Sequence, residues 1–95
     1  MKKYDLTDFI NVTTIDSTLS ELTARIKARR KERKWTQKDL AIRSGVTYSS
    51  IRRFEETGDI SLASLLKISN ALDSLDDFKH LFSTKFITNL KDYRP

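Results

Sequence analysis

Four side chains in one short stretch hold the densest hydrogen-bonding chemistry of this sequence: Tyr48, Ser49, Arg52 and Arg53, within Thr47-Tyr48-Ser49-Ser50-Ile51-Arg52-Arg53-Phe54-Glu55. Their spacing at i, i+1, i+4 and i+5 puts them on one side of an α-helix. Two hydroxyls and two guanidiniums side by side form a cationic surface rich in donors. Arginine can donate two parallel hydrogen bonds to guanine O6 and N7, so the chemistry fits the floor of a DNA groove. The other side of the same helix carries Ile51 and Phe54, which with Val46 pin it to a core. Thr47 and Ser50 read as helix cap and spacer rather than base contacts.

Catalytic chemistry is poorly supplied. The single histidine, His80, lies among Phe78, Leu81 and Phe82, where a surface or partly buried structural histidine is the natural reading. Asp76 and Asp77 are adjacent and would point about 100° apart on a helix, so they cannot converge on one reacting atom. No glycine-rich phosphate loop, paired-carboxylate site or metal-ligand cluster is visible, and no cysteine is present. The expectation is a protein that is not an enzyme, with no cofactor and no metal.

Short helices must position the cationic face. Thr36 predicts the cap of helix 2, running Gln37–Ser44 with Leu40 and Ala41 turned inward. Ala41 has to be small because helix 3 crosses close to it. Gly45 can take positive φ and end helix 2 at once, setting the crossing angle without a Cβ clash. Thr47 then caps helix 3, about Tyr48–Glu56, and Gly58 follows at a stop position. Upstream, Thr18-Leu19-Ser20-Glu21 reads as a capping box that opens helix 1, with Leu19, Leu22 and Ile26 on one face and an end near Lys34. Ser61 caps helix 4, which runs to Leu72 and buries Leu62, Leu65, Leu66, Ile68 and Ala71 in part; helix 5 is expected over Leu75–Phe82. This gives an all-α domain of five helices over residues 18–82. An N-terminal extension, residues 1–17, precedes it as an arm or short strand, and a C-terminal tail, residues 83–95, follows.

Composition agrees with a helical domain. Of 95 residues only two are glycine and one proline, while 33% are charged. Charge is unevenly spread. Residues 25–53 hold eleven lysines and arginines against Glu32 and Asp39, a balance of +9, whereas residues 54–82 balance to −4. Such polarity orients a protein toward a polyanion, although a solvated helix face would show the same excess. No apolar run approaches the ~20 residues of a membrane span, and the N-terminus lacks the pattern of a secretion signal.

Several residues, taken in one register, resemble a known family. They are Thr36-Gln37, Leu40-Ala41, Gly45-Val46-Thr47, Ile51 and Glu55, followed by Ser61-Leu62, Leu65-Leu66-Lys67-Ile68 and Ala71-Leu72. The pattern covers roughly residues 19–82 and resembles the XRE helix-turn-helix regulators, the Cro and phage-repressor type. The resemblance implies a lambda-repressor-like fold and binding to double-stranded DNA at a palindromic operator. It places Tyr48, Ser49 and Arg53 at base edges, with Arg52 beside them. Tyr48 could pack on a thymine methyl or bond a phosphate. Gln37 resembles the residue that holds a phosphate at the start of helix 2, where the helix dipole assists. Lys38, Arg43 and Thr47 are further phosphate candidates. The resemblance also implies an ion pair between Arg30 on helix 1 and Glu55, making both structural. A bacterial, cytoplasmic protein is implied.

The sequence departs from the family at three places. Arg29 stands where helix 1 normally offers a leucine, so either its stem packs inward or the helix rotates. Trp35 replaces a typical leucine and should bury its ring between helices 1 and 2. Lys34 stands where glycine often ends helix 1.

One reading helix spans few base pairs, so a homodimer is expected. Leu72, Leu75, Phe78, Leu81 and Phe82 are its candidate interface, or else they complete the monomer core. The stretch from Gly58 to Phe82 is similar to HipB-type antitoxins, which implies a HipA-like kinase as a further partner. The two extensions are then candidate docking arms. The competing reading is a protein-interaction module with little DNA binding of its own.

Overall fold

A computed structural model describes residues 12–87. Within them the chain forms four α-helices: α1 (Ile15–Glu32), α2 (Gln37–Ser44), α3 (Tyr48–Thr57) and α4 (Leu62–Ala71). One 3-10 turn, Leu75–Phe78, follows, and no strand occurs among the described residues. The expected helix 5 is reduced to that turn, so the architecture is four-helical. The arm expected over residues 1–17 and the end of the tail lie largely outside the described residues.

Local chemistry explains each boundary. Thr36 and Asp39 form a reciprocal capping box at α2: Asp39 N–H donates to Thr36 Oγ1 at 3.0 Å, and Thr36 N–H donates to Asp39 Oδ2 at 2.8 Å. Those bonds, the Thr36 backbone amide foremost, hold the Asp39 carboxyl below its ordinary value. Thr47 and Ser61 cap α3 and α4 through Ser50 N–H and Ser64 N–H. Gly45 and Gly58 end α2 and α3 in the left-handed region, at φ 78° and 81°. Gly58 has an added reason to lack a Cβ, because such an atom would stand 2.7 Å from Leu19 Cγ.

The start of α1 differs from expectation. Thr14, not Thr18, is the N-cap, and its partner in the capping box is Ser17. Thr18 is already inside the helix, its N–H donating to Thr14 O at 3.0 Å. The helix ends at Glu32, and Lys34 takes φ 60°, the conformation a glycine would adopt more cheaply.

The core is formed by Ile26 of α1, Leu40 of α2, Val46 in the turn, Ile51 and Phe54 of α3, and Ile68 and Leu72 at α4. Leu22, Trp35, Ala41, Ile60, Leu65 and Ala71 pack around it half-buried. Leu40, Ile51 and Ile68 are fully enclosed, each removal of such a side chain to alanine costing about 2–5 kcal/mol. Leu62, expected to be partly buried, is exposed. Leu72, expected at an interface, is a core residue. Leu75, Leu81 and Phe82 stay exposed, so they do not complete the monomer core, and Phe78 is half-buried.

Candidate nucleic-acid interface

The turn between α2 and α3 follows from the residues that make it. Gly45 N–H closes α2 on Ala41 O at 2.9 Å, Val46 drops into the core, and Thr47 opens α3 two residues later. Ile51 and Phe54 then fix the rotation of α3 by burying its inner side. Tyr48, Ser49, Arg52 and Arg53 are all exposed on the opposite side. The structure therefore brings these four residues together on one solvent-facing surface.

Their immediate surroundings are cationic. Lys38 Nζ lies 5.3 Å from the centre of the Tyr48 ring and the Arg52 guanidinium 5.9 Å from it. Tyr48 thus joins the start of α2 to the start of α3 through contacts of the cation–π type. Arg53 makes an ion pair with Asp59 at 2.7 Å, with both side chains largely in solvent. Thr47 Oγ1 is engaged as the cap, accepting from Ser50 N–H at 3.2 Å and donating to Ser50 Oγ at 2.8 Å.

Behind the surface sits a buried polar hub. Arg30 Nε donates to Glu55 Oε2 at 2.7 Å and Arg30 Nη2 to Glu55 Oε1 at 2.9 Å. Arg30 Nη1 also donates to the Trp35 carbonyl at 2.6 Å. Gln37 Nε2 completes the set by donating to Glu55 Oε1 at 2.8 Å. Burial pushes the Glu55 carboxyl up. The hydrogen bonds from Arg30 and Gln37, with the charges of Arg30 and Lys27, outweigh that and hold it below its ordinary value.

Gln37, which the resemblance sets against a phosphate, gives one N–H of its side-chain amide to Glu55 and keeps the second N–H for another acceptor. Backbone amides stand beside it at the start of α2, since the first N–H groups of a helix have no intrahelical acceptor. Arg43 lies with its guanidinium 4.4 Å from the centre of the Trp35 ring, and Arg33 stands 5.5 Å from it. Trp35 is therefore half-buried, a platform for two cations rather than a wholly enclosed filler. Arg33 also reaches Leu72 O at 2.9 Å, tying the end of α1 to the end of α4. Arg29 faces solvent and pairs with Glu32 at 2.6 Å, so α1 keeps its core face without it.

Sequence reasoning missed Asp59. A Gly-Asp pair after a helix signals only a turn, and nothing local says that the carboxylate folds back onto a residue six positions earlier. It also missed a groove of about 290 Å³ between α1, α4 and the 3-10 turn, lined by Leu22, Ile26, Leu72, Phe78 and Leu81 with Arg25 and Arg29 along it. Among the described residues no cluster of three or more histidines, cysteines or acids could hold a metal. No helix among them is long and apolar enough to cross a membrane.

Comparison with curated proteins gave no significant match, and comparison with solved structures gave none. A family model does match: the family described as Helix-turn-helix aligns with residues 26–78, more than half of the chain. That span runs from the buried Ile26 through both helices of the turn to Phe78, and it contains the whole exposed surface of α3. The chain belongs to the XRE-type helix-turn-helix family of DNA-binding regulators.

Proposed function

We propose that this protein is a sequence-specific repressor that binds a palindromic operator as a dimer, with α3 in the major groove. One observation carries the reading: Ile51 and Phe54 are buried while Tyr48, Ser49, Arg52 and Arg53 project from the same helix into solvent. A B-form major groove admits a helix of this size, and arginine and hydroxyl side chains match its donor and acceptor code. Lys38 and Arg43, with the free amides at the start of α2, flank the reading surface as phosphate contacts. Exposed Leu75, Leu81 and Phe82 support pairing across a two-fold axis, which would set two reading helices about one helical turn apart. Action on a bacterial operator implies a cytoplasmic location.

The experiment is selection of duplexes from a randomised pool by the full chain, followed by mobility shifts over a range of salt. The proposal expects an inverted-repeat site and a log–log salt slope near −0.9 per phosphate contacted. Recovery of no preferred sequence, with equally weak binding to all duplexes, would refute it.

A second reading is that the protein also neutralises a partner, a HipA-like kinase by family resemblance. The groove beside Phe78 and Leu81 supports it, pairing apolar side chains with the cations Arg25 and Arg29. Co-expression with such a kinase and measurement of complex formation tests that reading separately.

A further inference from the structure

Arg52 and Arg53 are neighbours on the reading surface, but they are held differently. Arg52 stands over the Tyr48 ring, 5.9 Å from its centre, whereas Arg53 Nη2 lies 2.7 Å from Asp59 Oδ2. Asp59 itself is delivered by an ordered turn. Thr57 Oγ1 donates to the Arg53 carbonyl at 2.8 Å, and Asp59 N–H donates to Thr57 Oγ1 at 3.1 Å. Between them Gly58, at φ 81°, closes α3 on Phe54 O at 2.7 Å and packs against Leu19. The bonds form a closed circuit: Arg53 backbone, Thr57 hydroxyl, Asp59 backbone, Asp59 carboxylate and back to the Arg53 guanidinium.

We infer that Asp59 is a specificity-determining residue, a buttress that orients the Arg53 guanidinium toward one guanine in each half-site. The inference rests on the DNA-reading role proposed for α3. A free arginine has several rotamers to lose on binding, and a carboxylate carried on an ordered turn removes part of that loss in advance. One N–H of Nη2 given to Asp59 leaves a complete two-donor edge of the guanidinium for O6 and N7. A carboxylate beside DNA also repels phosphate. Its placement therefore weakens binding to every duplex while favouring the one that offers a guanine to the aimed fork.

The test uses the full chain, a duplex selected by the wild type from a randomised pool, and a scrambled duplex of the same composition. Asp59→Ala should bind the scrambled duplex more tightly than the wild type does. Its ratio of affinities, selected over scrambled, should fall about threefold, the scale of ordering one long side chain and short of losing the whole arginine–guanine contact. In an Arg53→Ala background the same substitution should leave the ratio unchanged. Thermal melting should not move, as befits an exposed pair. If Asp59→Ala tightens both duplexes equally and keeps the ratio, Asp59 is only a nearby charge and the inference fails while DNA reading stands. If the wild type selects no sequence, the reading role of α3 fails and the buttress with it.

Discussion

Arg30 and Glu55 lie twenty-five residues apart in sequence and meet through two parallel hydrogen bonds of 2.7 and 2.9 Å, with side chains 9% and 2% exposed. The pair ties the long α1 to α3 from behind. Gln37 adds the start of α2 to the same carboxylate. Three helices thus share one buried anion, and the angle between α2 and α3 is fixed by it as well as by Val46 and Ile51.

Glu55→Ala should therefore act on stability before it acts on sequence preference. The substitution strands a buried guanidinium, at a cost of about 3–5 kcal/mol. Urea unfolding reads the loss. Operator choice, measured where the variant is still folded, should be that of the wild type. Unchanged unfolding with an altered site preference would move Glu55 from the scaffold to the reading surface.

The same carboxylate sets an acid limb. Its folded-state value is depressed below the ordinary 4.5. The associated stability is therefore fully present above that value and is lost as pH falls through the depressed one. Unfolding free energy should fall below about pH 4.5 in the wild type. In Glu55→Gln that decline should be shallower, although stability near neutrality is lower. Equal slopes in the two proteins would show that Glu55 has no lowered value.

Much of this arrangement is legible in the sequence because it is local. Thr36, Thr47 and Ser61 announce helix starts, and Gly45 and Gly58 announce stops, each through bonds within four residues. The start of α1 is ambiguous for the same reason: Thr14 to Ser17 and Thr18 to Glu21 both have the spacing of a capping box. Ile15, which would break the tie as an apolar residue, is itself exposed. The stretch after Asp73 has a helical pattern of apolar residues but not a helical backbone. Asp73 and Phe82 take positive φ at its two ends, and only Leu75–Phe78 between them winds, as a 3-10 turn. The links from Gln37 to Glu55 and from Asp59 to Arg53 depend on tertiary approach and side-chain direction, which periodicity does not encode.

The two glycines should respond unequally to alanine. At Gly45 a Cβ meets nothing within 4 Å, so Gly45→Ala bears only the left-handed backbone penalty of about 1–2 kcal/mol. At Gly58 the same penalty is joined by a clash with Leu19, so Gly58→Ala should lose more. Leu19→Ala in the same chain should recover part of the excess. Thermal unfolding of the three variants checks this; equal losses at both glycines would contradict the packing described.

Dimerisation should map to the exposed apolar residues after α4. Leu75→Glu with Leu81→Glu should leave the monomer folded, because both side chains are exposed in the single chain, while the melting temperature falls to that of the monomer and loses its dependence on protein concentration. Sedimentation should show a shift from dimer to monomer, and binding to a two-half-site duplex should weaken about a hundredfold as the second contact ceases to be intramolecular. A dimer that survives both substitutions would place the interface elsewhere.

The most direct test is the binding of the wild type and Arg53→Ala to a selected duplex and to its full set of single base-pair variants, at several salt concentrations. Arg53→Ala should weaken binding to the selected duplex about tenfold or more and become indifferent to one base pair in each half-site, with discrimination elsewhere retained. Identical discrimination by the two proteins at every position would contradict it.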